Sequence, residues 1–358
     1  MGIFSVLLYT LSKKIAVFNY TQSLFFSIHI TFRRITLDRI LTYTIQPEQE
    51  GMQLLDFLRS KGFSRGILSS MKPYKSAIQL NGERGFGKSV LRTGDFLRIH
   101  IPETDSSENI LPVKMDLSIL YEDEDILVIN KEADMPVHPS IGNYDNTLAN
   151  GIAWYFKEKG QAFVYRCINR LDRDTTGALI LAKNPYSAAV LSAQMKQRQI
   201  RRTYLAIVQG ITPEFGTIDA PIGRAEDSTI ERQVDFTNGE RAVTHYERLD
   251  AYGSYDGHTF SRLSAHDIQK ASAVTFITYS LMELHLETGR THQIRVHLKY
   301  LGHPLPGDFL YCPDFSLIRR QALHSHKLTF LHPLSGEEMC FLAPLPADMK
   351  AMLPSMIP

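Results

Sequence analysis

The sequence predicts an α+β fold: a largely antiparallel, mixed sheet with flanking helices, preceded by a small α+β module. Three observations predict it. Strand-like stretches are joined by short turns and mixed with helices, with few clean βαβ repeats. Apolar alternation at period two marks half-buried strands, as in "MELHLETG", where Met282, Leu284 and Leu286 alternate with Glu283, His285 and Glu287. A polar stretch bounded by prolines, "PETDSSENILP" (102–112), separates a first group of elements from a second. The 358 residues suffice for two domains and a sizeable core. With 22% charged and 44% hydrophobic residues and a net charge of +1, the global balance names no partner, and any charged binding face must be local.

This gives a division into an extension (1–41), a small module (42–103), a linker (104–112) and a large domain (113–352) with an inserted loop at 253–279. The extension is apolar and aromatic, but lysines and arginines interrupt it. It holds no run near the ~20 apolar residues of a membrane span. Its charge follows the apolar stretch, the reverse of a secretory signal, so a poorly ordered tail outside any membrane is expected. The three cysteines, Cys167, Cys312 and Cys340, form no CxxC or Cys/His pattern. A reducing cytoplasm is expected, with neither disulfides nor a metal centre.

In the small module, "LLDFLRSKG" sets Leu54, Leu55 and Leu58 on one helical face, and a second helix follows around Arg65 to Met71. "AIQLNG" reads as a strand ending in an Asn81-Gly82 turn, and "DFLRIHI" as a closing strand. Arg59, Lys61, Arg65, Lys72 and Lys75 cluster around the helices, either as a solvated face or as a phosphate-binding patch. In the large domain "ILYEDEDILVINK" predicts strand, acidic turn, strand. "NTLANGIAWYFKEKG" predicts a helix with Leu148, Ile152, Tyr155 and Phe156 inward and Gly160 after its end. "GALILAKN" predicts a buried strand, and Asn184 caps a helix begun by Pro185. "RTYLAIVQG" is a strand. After "GRT", Thr291 is placed to cap a helix whose face is Ile294, Leu298 and Leu301 and which Gly302 ends.

The stretch "INRLDRDTTGALILAKN" (168–184) packs Arg170, Asp172, Arg173 and Asp174 against the start of a strand. It can be a surface turn with Arg–Asp pairs. The Asp172-x-Asp174-x-Thr176 spacing also fits a magnesium-dependent phosphatase with an aspartyl-phosphate intermediate, with "GDFLYCPD" (307–314) as a second acidic motif. There, however, the nucleophile ends an apolar strand, whereas here the apolar strand follows the aspartates.

The same stretch resembles the H-R-L-D-x-x-T-S-G motif of the RluA-type RNA pseudouridine synthases, read here from Asn169 to Gly177, with Asn169 for histidine and Thr176 for serine. "YEDEDILVINKEADMPVHPS" resembles the family's K-P-x-G-x-x-x-H entry, with Glu132 and Asp134 for proline and glycine, which implies a differently shaped turn. "RRTYLAIVQG" resembles its K-x-Y-x-A stretch. "GRTHQIRVHLKYLGHPLPGD" resembles its G-R-T-H-Q-I-R motif, and "RQALHSHKLTFLHP" and "APLPADM" its C-terminal strands. The motifs run in order over residues 113–352, and the small module resembles the S-four-type RNA-binding module.

The resemblance implies isomerisation of uridine in rRNA or tRNA to pseudouridine on a flipped-out base, with no cofactor and no metal, by a cytoplasmic monomer. It implies Asp172 as nucleophile, opposed by the guanidinium of Arg295, and Tyr204 stacked on the base. Arg170 would enter the RNA as the base leaves. Arg290 and His292 would meet phosphate at a helix start, and Thr176 and Ile294 would line the substrate pocket. Arg59, Arg65, Lys72 and Lys75 would hold RNA phosphates. Asp174 has no role in the resemblance and is expected at the surface or paired with Arg173. A non-catalytic RNA-binding protein on the same fold is the second reading.

Overall fold

A computed structural model describes residues 39–103, 107, 109–254, 260–270 and 277–353. The small module contains β1 (Arg39–Thr44), α1 (Leu54–Ser60), α2 (Arg65–Met71), β2 (Ile78–Leu80), β3 (Glu83–Arg84) and β4 (Phe96–Ile101). Its strands pair antiparallel in the order β1-β4-β2-β3. Asn81 and Gly82 both take positive φ, 53° and 86°, as the tight β2–β3 turn demands. Ser64 caps α2, its hydroxyl accepting from the Ile67 N–H at 3.3 Å. Leu54, Phe57, Leu58, Ile67 and Met71 from the two helices pack on Leu41, Leu97 and Ile99 of the sheet. The sequence-based extension therefore ends earlier than residue 41, because 39–41 belong to β1; residues 1–38 lie outside the described residues.

The large domain contains β5 (Ser118–Glu122), β6 (Ile126–Lys131), α3 (Leu148–Glu158), β7 (Thr176–Ala182), α4 (Pro185–Lys196), β8 (Arg201–Gln209), β9 (Phe215–Asp219), β10 (Ile222–Arg224), β11 (Arg232–Val234), β12 (Val243–Ser254), β13 (Ser261–Arg262), α5 (Ala265–Lys270), β14 (Ile277–Leu286), α6 (Gln293–Tyr300), β15 (Leu323–Leu331), β16 (Glu338–Leu342) and α7 (Ala347–Ala351). One sheet runs β13-β12-β14-β8-β15-β7-β6-β5, with β16 added to β15 and β9 to β12, and β10 and β11 form a separate hairpin. Every pairing in the large sheet is antiparallel except β7 with β15, so the sheet is mixed and mostly antiparallel.

β7 is buried along its whole length because both its faces are covered. Leu179 and Leu181 point to a core shared with α3 and α6, and Ala178, Ile180 and Ala182 to one shared with α4. Thr147 caps α3 by accepting from Asn150 N, and Asn184 caps α4 by accepting from Ser187 N at 2.9 Å. Residues 253–254 and 277–279 of the expected loop extend β12 and β14. Among its other residues, β13 pairs back onto β12 and α5 follows; 255–259 and 271–276 lie outside the described residues.

The two parts are docked against each other. Arg39 forks onto Asp125 in the β5–β6 turn, with N–O distances of 3.1 and 2.8 Å. The Tyr186 ring of α4 packs on Phe63 with centroids 4.8 Å apart, and its hydroxyl donates to the Lys61 carbonyl at 2.7 Å. Next to the linker Glu103 pairs with Arg166 at 2.7 Å, and in the linker itself the Ser107 hydroxyl accepts from Tyr165 N. No helix among the described residues is long and apolar enough to cross a membrane.

Candidate active site

The chain turns at Leu171–Thr175, where Thr175 N bonds the Asp172 carbonyl at 3.1 Å, and enters β7. β7 meets β15 only at its first residues, Thr176 opposite His324 and Gly177 opposite Ser325. Gly177 has φ +111°, and a Cβ there would lie 2.2 Å from the Ser325 carbonyl oxygen. Only glycine lets the strands touch at that point. On its other side Ser325 is in register with Tyr204 of β8. Gly177, Ser325 and Tyr204 thus lie side by side across three strands, about 10 Å in all at the usual strand spacing. This brings the aspartate turn and the tyrosine to one end of the sheet.

α6 supplies the third group. Arg295 is buried, and its guanidinium makes three bonds: Nε and one terminal nitrogen to the two oxygens of Asp308, both at 2.7 Å, and the other to Asp172 Oδ2 at 3.1 Å. Asp308 is itself fixed by the N–H groups of Leu310 and Tyr311 at 3.1 and 3.2 Å. The Phe309 and Tyr311 rings lie 5.5 and 5.0 Å from the guanidinium carbon. Burial works against the arginine's charge, but the bonds to Asp308 and the charge of Asp172 outweigh it and raise its pKa. Arg295 is therefore a fixed cation. Among the described residues it is the only side chain hydrogen-bonded to the Asp172 carboxylate, through one oxygen, and the Asp172 side chain is 28% exposed.

Tyr204 is buried among Leu171, Leu284 and Ile294. Burial raises its pKa, opposed by Arg202 and reinforced by Asp172, so the phenol stays protonated at neutral pH. Arg170 is exposed, and its charge adds to burial in lowering the pKa of His138. The other expected substrate contacts are occupied within the protein. The Thr176 hydroxyl bonds His324 Nδ1 at 2.8 Å, and Ile294 is in the core. The Arg290 guanidinium is engaged by Glu240 and by the Arg241 carbonyl, and His292 Nδ1 lies 3.0 Å from the Tyr311 hydroxyl. Burial lowers the pKa of His292, so its imidazole is neutral at pH 7.

Two local expectations change. The N-cap of α6 is His292 in the left-handed conformation, φ 58°, not Thr291, and Gln293 takes over by accepting from Arg290 N and from the Thr288 hydroxyl. Asp174 does pair with Arg173, at 3.2 Å, but it is buried rather than at the surface. At the 132–134 turn Asp134 adopts φ 53°, the left-handed conformation that glycine, and occasionally Asn or Asp, takes. Asn169 occupies the motif's histidine position and spends its oxygen on Ile180 N at 2.9 Å.

Sequence reasoning missed the groups behind the site. Asp308 is the most important, and its place at the end of "GHPLPGD" was the available signal. Arg320 bonds the carbonyls of Asp174, Gln321 and Leu323 and forks onto Asp348, and Gln321 bonds the Thr175 hydroxyl. Arg59, Arg65, Lys72 and Lys75 are all exposed on the small module, with Arg59 3.6 Å from Asp56. Asp123, Asp125 and His332 offer ligand atoms within 4.8 Å of one another. Their oxygens are already used, however: Asp123 accepts from Tyr121, His332 and two backbone N–H groups, and Asp125 from Arg39, Asn184 and Ser187. This cluster is a docking joint at the opposite end of β6 from the aspartate turn.

Residues 125–300 match the family model of RNA pseudouridylate synthases. The chain is 41% identical over 303 residues to the uncharacterized RNA pseudouridine synthase YjbO of Bacillus subtilis (strain 168), covering 84% of this chain and 98% of that protein. It is 34% identical over 291 residues to the ribosomal large subunit pseudouridine synthase D of Neisseria meningitidis serogroup A, covering 78% and 71%. Among solved structures it is similar to human RNA pseudouridylate synthase domain containing 1, at 28% identity and a TM-score of 0.49, over 65% of this chain and 87% of that one. With its motifs in order and the Bacillus relative matched nearly end to end, the chain belongs to the RluA-type RNA pseudouridine synthases and is an enzyme of that family.

Proposed function

We propose that Asp172 is the nucleophile, acting on a uridine flipped out of structured RNA, and that ribosomal RNA is the substrate class, as the name of the Neisseria relative suggests. The reaction breaks the bond from the sugar to N1 and makes one to C5; the C5 proton leaves and N1 gains one. Nothing is oxidised or hydrolysed, so the task is to hold a detached base for reattachment. The observation that carries this reading is the 3.1 Å bond from Arg295 to Asp172 Oδ2. A cation locked from behind by Asp308 fixes one carboxylate oxygen and leaves the other to attack.

Tyr204 offers its ring to the base. As a neutral phenol it can hydrogen-bond the uracil, and its hydroxyl rather than a phenolate is present when the C5 proton leaves. Arg170, exposed beside the aspartate, is placed to enter the space the base vacates. The small module binds RNA as an S-four-type unit through Arg59, Arg65, Lys72 and Lys75. Its docking joint is about five residues along β6 from the aspartate turn, roughly 17 Å at the usual rise per residue. One structured RNA can span both.

The test is Asp172→Asn, assayed by C5-proton release and by RNA binding. The variant is expected to fold and bind RNA with unchanged affinity and to form no pseudouridine. Wild-type turnover by this variant would end the assignment.

A further inference from the structure

The polar linker at 104–112 would by itself let the small module swing, since relative motion is the ordinary state of two domains joined by such a stretch. Instead, three parts of the module are tied to the large domain. From β1, Arg39 forks onto Asp125, at 3.1 and 2.8 Å. Asp125 is 2% exposed, and Asn184 and Ser187 at the start of α4 donate to the oxygen that also takes Arg39 Nε, at 2.8 and 3.1 Å. From the α1–α2 loop, the Lys61 carbonyl accepts from the Tyr186 hydroxyl and Phe63 packs on the Tyr186 ring. Between them Gly62 comes so close to Val190 that a Cβ there would stand 3.0 Å from its methyl. Tyr186, although it belongs to α4, is buried in the module's own core. After β4, the buried Glu103 pairs with Arg166, and Ser107 N donates to the Phe163 carbonyl at 3.1 Å. A single tie leaves a module free to turn; ties from three of its parts do not. A buried ion pair adds little net stability over an apolar contact, and what the Arg39–Asp125 fork contributes is orientation.

The α1–α2 loop is also where the proposed phosphate contacts begin. Arg59 lies two residues before Lys61 and Arg65 two after Phe63, and both are exposed. The tie that holds the loop therefore holds these two arginines at a set distance from the aspartate turn. We propose that the docked module is a fixed ruler for substrate choice: Arg39 and Tyr186 set the span between RNA phosphates gripped at α1–α2 and the carboxylate of Asp172, so that the enzyme selects the uridine lying at that span from a structured segment of its RNA. This rests on the reading of the small module as an RNA anchor. A uridine at another distance cannot satisfy both grips at once, and it forfeits the gain that a second, linked contact brings. Arg39 and Tyr186 are positioning residues: they lie at the far end of β6 from Asp172 and act on the substrate only through the module they hold.

The experiment compares wild type with Arg39→Gln, Tyr186→Ala and the double variant on unmodified large-subunit ribosomal RNA transcribed in vitro. Pseudouridine is mapped at every uridine, total C5-proton release gives the overall rate, and small-angle scattering shows whether the module has come loose. In the loosened variants the preference for the favoured uridine over its neighbours is expected to fall by about tenfold or more, because a second grip without a fixed span loses its effective concentration, while total release stays within about threefold. An unchanged preference in a variant whose scattering shows a detached module overturns the proposal. So does wild-type scattering from the double variant, because these residues then do not set the span. If the double variant does not fold, Arg39→Gln alone decides by the same two readings, and failure of every variant to fold also overturns the proposal, the joint then being only structural. Alanine at Arg59, Arg65, Lys72 and Lys75 separates the two readings. An unchanged salt slope of binding removes the RNA anchor itself, whereas a reduced slope with an intact preference in the detached variants removes the ruler alone.

Discussion

Asp308 is the residue on which the arginine's aim depends. Asp308→Asn keeps the shape and removes the charge. Two 2.7 Å bonds between opposite charges become at best one bond from the Arg295 guanidinium to a neutral acceptor, because the amide nitrogen must face a guanidinium N–H. Bonds to charged groups contribute ~1.5–3 kcal/mol each, and breaking a buried pair from one side costs ~3–5 kcal/mol. Asp172 remains as a partial counterion for Arg295, so the loss should fall toward the lower end, about 2–4 kcal/mol. Freed from its bidentate clamp, the guanidinium will follow Asp172 instead of fixing it, and turnover should drop by about 10²-fold with RNA affinity intact. Urea unfolding measures the first effect and single-turnover pseudouridine formation the second. An Asp308→Asn enzyme within 0.5 kcal/mol of wild type (about the scatter of neutral surface substitutions) and with full turnover would refute the idea that Arg295 is held from behind.

Other outcomes follow from the same geometry. Gly177→Ala should cost more than ~2 kcal/mol, or prevent folding, because its Cβ would sit 2.2 Å from the Ser325 carbonyl at a φ of +111°; thermal melting reads it. Glu122 binds Tyr155, Lys159 and Lys183. Burial raises its pKa, but these partners outweigh it and bring the carboxyl from 4.5 down to about 2. A lowered carboxyl stabilises the fold above its unfolded value and loses that contribution as pH falls from about 4.5 through about 2. Discounted for its part-exposed edge, the contribution is ~1–2 kcal/mol, and Glu122→Gln should flatten the acid side of a stability–pH curve by that amount. Replacing Arg59, Arg65, Lys72 and Lys75 together by alanine should reduce the salt slope of RNA binding by about 3, at ~0.7–0.9 for each contact, while leaving turnover at saturating RNA unchanged. An unchanged slope would remove the small module from the RNA interface.

The elements legible in the sequence are those set by local chemistry. Thr147, Ser64 and Asn184 cap helices with hydroxyls or amides three residues from the N–H they accept. Asn81-Gly82 dictates its own turn, and the unbroken apolar run of β7 reports burial on two faces. The cap of α6 was misplaced because the deciding group, Gln293, lies inside the helix and works backwards through its amide oxygen, accepting from Arg290 N and the Thr288 hydroxyl, while Thr291 does not cap. Asp172, Tyr204 and Arg295 were legible only through the resemblance, since composition and spacing alone left a surface turn, a core tyrosine and a helix arginine.

The groups behind the site were not legible, and the reason is physical. Arg295 meets Asp172 across 123 positions, Arg320 meets Asp174 across 146, and Lys131 meets Arg173 across 42. Each is a buried basic side chain, and two of the three spend themselves wholly or partly on backbone carbonyls, which every residue type offers equally, so the partner's identity leaves no trace in the sequence. What the sequence does carry is the cation itself. A lysine at the end of an otherwise apolar strand, or an arginine one turn into a helix with apolar neighbours on both sides, must find compensation in the fold. When three such basic groups converge on one five-residue turn, the stability they cost is recovered as immobility of the carboxylate that turn carries, which is what the proposed role of that carboxylate as nucleophile needs.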